Sequence, residues 1–102
     1  MTRMSEIVVL DELFTDVGEV AEDVRSADLI RGQTVRLHVN VESGGPFELL
    51  VLNPDDEIIK TFGGIFREHE FELTAPKNGS YGFAFQSAGK LGAVRLKVSP
   101  KP

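Results

Sequence analysis

The sequence predicts an all-β fold, an antiparallel β-sandwich of the jelly-roll or immunoglobulin-like kind with about eight strands. Three observations carry this expectation. Apolar residues alternate at every second position along several stretches, as on a half-buried strand. Turn residues recur roughly every ten positions, the spacing of sandwich hairpins. The apolar set is skewed toward Val, Leu and Phe with no Trp, a composition that packs on pleated surfaces. A chain of 102 residues fits a single domain over 1–102 with one core, large enough to fold without a metal or a disulfide.

Taken in chain order, the polar ends "MTRMSE" and "SPKP" are expected to fray. From Leu10 to Ile30, apolar residues fall at Leu10, Leu13, Phe14, Val17, Val20, Ala21 and Val24, intervals of three and four that suit an amphipathic helix. Gly18, Thr15 and the valines are weak helix formers, so two irregular strands are favoured, with a helix in the N-terminal third as the rival. "QTVRLHVNVE" is the cleanest strand, with Val35, Leu37, Val39 and Val41 on one face. "SGGP" then reads as a turn. "FELLVLN" is apolar on both faces, Phe47, Leu49 and Val51 against Leu50 and Leu52, the pattern of a strand covered twice. "NPDDE" turns the chain, with Pro54 fixing φ and the Asp side chains available to the local backbone. "IIKTF" is a short strand that Gly63 and Gly64 break. "FREHEFELT" places Phe71 and Leu73 inward and Glu68, Glu70 and Glu72 outward. "APKNG" turns into "SYGFAFQ", where Tyr81, Phe83 and Phe85 share one face and Gly82, Ala84 and Gln86 the other. "GAVRLKV" closes the set with Val94, Leu96 and Val98 inward.

Composition narrows the function classes. A net charge of −5 and a pI near 4.9 repel phosphate backbones, so nucleic acid is not an expected partner. With no cysteine there is no thiol chemistry, thiolate metal site or disulfide to invoke. The apolar runs "IVVL" and "ELLVL" are too short to span a bilayer, and acidic residues interrupt the N-terminal run where a signal peptide would continue. A cytoplasmic location without membrane insertion is the expectation for the chain as it stands, extracellular or lumenal if it is trimmed.

From Leu29 onward the order of features resembles the GOLD-like (emp24-type) β-sandwich family, particularly its small prokaryotic members. The resemblance rests on "LIRGQTVRLHVNV", "FELLVLNPDDEII", "FELTAPKNGSYGFAFQS" and "VRLKV", about the last two thirds of the chain. Phe71, Ala75, Pro76, Gly79, Tyr81, Phe83 and Phe85 fit that family's phrase leading into its aromatic strand. Gln86 stands where the family often has Asn, "NPDDE" lacks a glycine, and the N-terminal third has no counterpart. The resemblance implies a non-catalytic interaction module and transfers no site residue. Physically, Pro76 and Gly79 fix a turn, and Tyr81 is placed to bury its ring while its hydroxyl returns to the backbone, as in a tyrosine corner.

Gly32, His38 and Glu42 loosely resemble the first metal motif of cupins, which would make His38 and His69 ligands in a metal-dependent enzyme. Asn40 stands where a second His is needed, however, and metal sites want three or four converging ligands. The acidic pairs at 11–12, 22–23 and 55–57 read as solvated turns and faces, and the ladder of Glu68, Glu70 and Glu72 as a wet face that pairs across strands with Arg36, Arg95 or Lys97. No serine lies in a Gly-x-Ser-x-Gly context. Sugar-binding sandwiches expose Trp and Tyr, and here there is no Trp and one Tyr. The best candidate surface is therefore the second apolar face around Leu50, Leu52 and Ile59. The resulting expectation is a binding module that contacts a protein partner or a second copy of itself, with no cofactor, no metal and no catalytic residue. The alternatives are a cupin-like metal enzyme and a small-ligand or glycan-binding module.

Overall fold

In a computed structural model, residues 9–101 are described. Six strands follow one another: β1 (Leu10–Val17), β2 (Val24–Leu29), β3 (Thr34–Leu52), β4 (Ile58–Ile65), β5 (Glu68–Thr74) and β6 (Gly79–Pro100). All pairings are antiparallel within one open sheet, in which β1, β6, β3 and β4 are successive neighbours, β2 also pairs with β6, and β5 also pairs with β3. The expected N-terminal polar end lies outside the described residues.

Strands β3 and β6 organise the molecule. The first half of β3 pairs with β5 and with the end of β6, Val35 opposite Leu73 and Leu37 opposite Val98. Its second half pairs with β4 and with the start of β6, Leu50 opposite Thr61 and opposite Ala84. Between the halves the β3–β6 register slips from Val41 to Phe47. Glycine permits this: a Cβ on Gly92 would lie 2.0 Å from the Ser43 carbonyl oxygen, so the two backbones touch where any side chain would part them. Both halves nonetheless feed one core, which joins Val35, Leu37 and Val39 to Phe47, Leu49 and Val51. Phe14, on the strand beside the end of β6, meets Phe85 near its start edge-to-face at 4.9 Å.

Several expectations are corrected. The possible helix of the N-terminal third is not seen: Leu10–Val17 and Val24–Leu29 are strands. The helix-like spacing has a β-sheet cause. The ladder with β6 is irregular between Phe14 and Val17, and Asp16 between them has φ of 54°. Such a bulge returns residues three apart to the same face, and Phe14 and Val17 are both buried. Six strands stand where the sequence counts about eight, because "SGGP" lies inside β3 and the stretch between Gln86 and Gly92 lies inside β6. Gly63 and Gly64 do not end β4, which runs on to Ile65. Ser99 and Pro100 do not fray either: they pair with Arg36 and Val35, and the Lys101 amide donates to the Thr34 carbonyl at 2.9 Å.

The aromatic strand meets its expectation. Tyr81, Phe83 and Phe85 are all buried. The Tyr81 hydroxyl donates to the Lys77 carbonyl at 2.7 Å and accepts from the Lys77 amide at 3.1 Å, which closes the "APKNG" turn onto the ring that follows it. The "NPDDE" turn is held differently from expectation. The side-chain oxygen of buried Asn53, rather than an Asp, accepts from the amides of Asp55 and Glu57 at 2.9 and 3.0 Å.

Candidate functional site

Register decides which side chains share the outer side of β2, β6, β3 and β4, because residues directly opposite in an antiparallel pair point the same way. Two rows cross these strands. Val24, Ala84, Leu50 and Thr61 form the first, and Ser26, Gly82, Leu52 and Ile58 the second. Leu50 and Leu52 are thus brought together, each half-buried. A Cβ on Gly82 would lie 2.9 Å from Val24 Cγ1 and 3.5 Å from Leu52 Cβ, so those two side chains close over the glycine from either side. Ile58 and Val24 remain 59% and 48% exposed. One row further, Gln86 Nε2 donates to Glu48 Oε1 at 2.5 Å; on the other side Asp28 stands opposite Ser80. The apolar stripe therefore has a polar border at both ends.

Ile59 does not join this stripe. It packs against the interior core, and its neighbour Ile58 takes the outer position. Sequence reasoning missed Val24, Ala84 and Ile58. The alternation of Gly82 and Ala84 with the buried rings was the available signal, since small residues behind an aromatic strand leave room for neighbours to lean in. Val24 could be placed only with the β2–β6 register.

The outer side of the other half is charged. Asp11, Lys97, His38 and Glu70 form one row across β1, β6, β3 and β5. Arg95 Nη1 donates to Asp11 Oδ1 at 3.0 Å and lies 3.9 Å from Glu42, His38 Nε2 contacts Glu68 Oε2 at 2.6 Å, and Lys101 Nζ lies 2.8 Å from Glu72. Arg36 Nε sits 3.7 Å from Glu70, an ion pair too long to be a hydrogen bond, and this buried nitrogen has no hydrogen-bond acceptor among the described residues. Of the pairings expected for the Glu ladder, Arg36 with Glu70 forms, while Arg95 turns instead to Asp11 and Glu42. A cleft of about 190 Å³ lined by Asp11, His38, Asn40, Arg95 and Lys97 opens on this face.

The histidines do not converge. His69 stands opposite Val39, and His38 stands opposite Glu70, so the two occupy opposite sides of their strands. Among the described residues no group of three or more His, Cys, Asp or Glu is placed to hold a metal ion. At the "NPDDE" turn, the Lys77 ammonium pairs with Asp55, and this hydrogen bond holds the lysine pKa above its ordinary value.

No protein-family model matches the chain, and no curated protein matches it. Among the described residues no helix is long and apolar enough to cross a membrane, which says nothing of strand-built barrels.

Proposed function

We propose that the chain is a non-catalytic binding module of the GOLD-like β-sandwich type, which contacts another protein chain through Val24, Leu50, Leu52 and Ile58, the side chains that surround buried Ala84. The single observation that carries this reading is the pair of register rows. They bring Val24, Leu50, Leu52 and Ile58 to one side of the sheet around Ala84 and Gly82 and border them with polar residues, the anatomy of an interface core and its rim.

The sandwich itself is part of this reading. The two halves of β3 and β6, each flanked by a shorter strand on either side, act as two facing layers with eight strand segments. Support comes from the Phe14–Phe85 contact and from the stacking of Phe62 on β4 against Phe71 on β5 at 4.3 Å, each of which joins strands of different halves. The shortest dimension of the molecule is 18 Å, which suits two sheets about 10 Å apart. The resemblance from Leu29 onward supports the same architecture.

Magnitude sets the kind of contact. Four strands about 4.8 Å apart and two rows about 7 Å apart give a patch of roughly 270 Å². That is well below the ~800 Å² per partner of a standard stable interface, so the stripe is the centre of a weak contact, with dissociation constants in the micromolar range or above. The simplest occupant is a second copy. Light scattering over a concentration series up to ~1 mM tests this: the mass should rise toward a dimer, and Leu50→Glu should hold the chain monomeric at an unchanged melting temperature. A strict monomer throughout, with Leu50 and Leu52 amides that do not shift with concentration, would overturn self-association.

A small polar ligand in the Asp11–His38–Arg95 cleft is a second reading, favoured by a concavity on the charged face whose lining mixes a carboxylate, an imidazole, an amide and two cations. A thermal-shift screen with sugars and small acids tests it through mass action on stability.

A further inference from the structure

The strongest unassigned feature lies away from the apolar stripe, where β4 gives way to β5. Four rings make a continuous row there. Phe62 stacks on Phe71 at 4.3 Å, Phe71 lies parallel to His69 at 5.9 Å, and His69 meets the ring of Phe66 edge-on at 5.7 Å. Phe66 at the end of the row is 59% exposed, a large apolar side chain left in water.

Two cations flank the row. Lys60 Nζ lies 5.9 Å from the centre of the Phe62 ring, and the Arg67 guanidinium 5.8 Å from that of Phe66. The nearby acids point elsewhere: Glu68, Glu70 and Glu72 alternate with His69 and Phe71 along β5, and each is engaged by His38, Arg36 or Lys101 on the opposite side of the strand. A chain with a net charge of −5 thus carries a local cationic and aromatic strip. The backbone beside it is also available, because β4 and β5 each pair with β3 alone, so each has one edge without a strand partner among the described residues.

We propose that the row of Phe62, Phe66, His69 and Phe71, with Lys60 and Arg67, is a docking site for an extended acidic segment of another protein that also carries apolar side chains. Such a segment adds alongside the β4 edge with main-chain hydrogen bonds, and its side chains alternate between the rings and the solvent. Its apolar residues cover Phe66, and its carboxylates meet Lys60 and Arg67. Charge complementarity selects this occupant over a second copy of the region, which would bring the same two cations against themselves. The site is separate from the Leu50–Leu52 stripe and does not depend on the reading proposed for it.

The experiment is a titration of the isotope-labelled chain, followed by amide chemical shifts, with a short peptide alternating Glu with Leu and with its counterpart alternating Lys with Leu. The expected result is saturable binding of the Glu peptide, with shifts confined to residues 60–71, weakened as salt screens the exposed charges. The Phe66→Ala, Arg67→Glu double variant should lose about tenfold in affinity, roughly 1.4 kcal/mol, while its melting temperature holds. If that variant fails to fold, Lys60→Glu serves as the second test and should lower affinity about threefold. Equal binding of the Lys peptide, shifts at Leu50 and Leu52 instead, the absence of saturation at ~1 mM, or binding of a neutral oligosaccharide at the same rings would each overturn the proposal.

Discussion

Replacing Tyr81 by Phe keeps the buried ring and removes one oxygen. That oxygen makes two hydrogen bonds with the backbone of Lys77, at 2.7 and 3.1 Å. Each neutral hydrogen bond contributes about 0.5–1.5 kcal/mol net. Lys77 is exposed, so water recovers part of the loss at its amide and carbonyl, and the total should fall near 1.5 kcal/mol rather than at the sum's upper end. For a domain of about 100 residues, each kcal/mol moves the melting temperature by about 4–8 °C, which gives a fall of roughly 6–12 °C. Tyr81→Ala, which also empties the ring's place in the core, should cost about 3–5 kcal/mol more. The assay is paired thermal and urea denaturation, together with hydrogen exchange at the Lys77 amide, which should speed up in Tyr81→Phe well before the core opens. A Tyr81→Phe protein within about 0.3 kcal/mol of the parent, with Lys77 exchange unchanged, would refute the reasoning that the hydroxyl holds the turn.

Three further outcomes follow from the same geometry. Gly92→Ala should destabilise by several kcal/mol or leave the chain insoluble, because its methyl would meet the Ser43 carbonyl oxygen at 2.0 Å, whereas Gly64→Ala, with φ of 67° and nothing within 4 Å, should cost only about 1–2 kcal/mol by urea denaturation. The Lys77–Asp55 pair raises the lysine pKa, so its stabilisation is complete below the ordinary lysine range and is lost as pH rises through and beyond it; Asp55→Asn should flatten that alkaline decline in a pH series of melting temperatures. Asn53→Ala should loosen the "NPDDE" turn by about 1–2 kcal/mol, since it strips the acceptor from two amides and a donor from Glu57. Chemical denaturation with exchange at the Asp55 and Glu57 amides would show it.

Strand identity was legible wherever inward residues alternated without interruption. Val35, Leu37 and Val39, the three rings of "SYGFAFQ", and Val94, Leu96 and Val98 all lie where period two puts them. Reading faltered where a backbone irregularity changed the phase. A bulge at Asp16 gave β1 the spacing of a helix, and glycines that normally end strands instead let β3 and β6 run on in close contact. Leu50 and Leu52 were legible as a second apolar face because they alternate with residues of the core. Ile59 was misplaced by one residue, since the β3–β4 register shifts between Val51 and Leu52 and Ile58 takes the outer position. The row of Phe62, Phe66, His69 and Phe71 could not be read at all: Phe62, His69 and Phe71 sit on two strands that, among the described residues, pair only with β3 and not with each other, Phe66 lies in the bend between them, and only the fold brings the rings together.

The most direct test is an aromatic NOE measurement in solution on the chain with labelled phenylalanines. A sheet folded over on itself predicts cross-peaks between the Phe14 and Phe85 rings and between the Phe62 and Phe71 rings, pairs whose members belong to different halves. Loss of both sets of cross-peaks, with the Phe83 and Phe85 rings reached by a water-soluble relaxation agent, would contradict a closed core whose outer faces are left to bind.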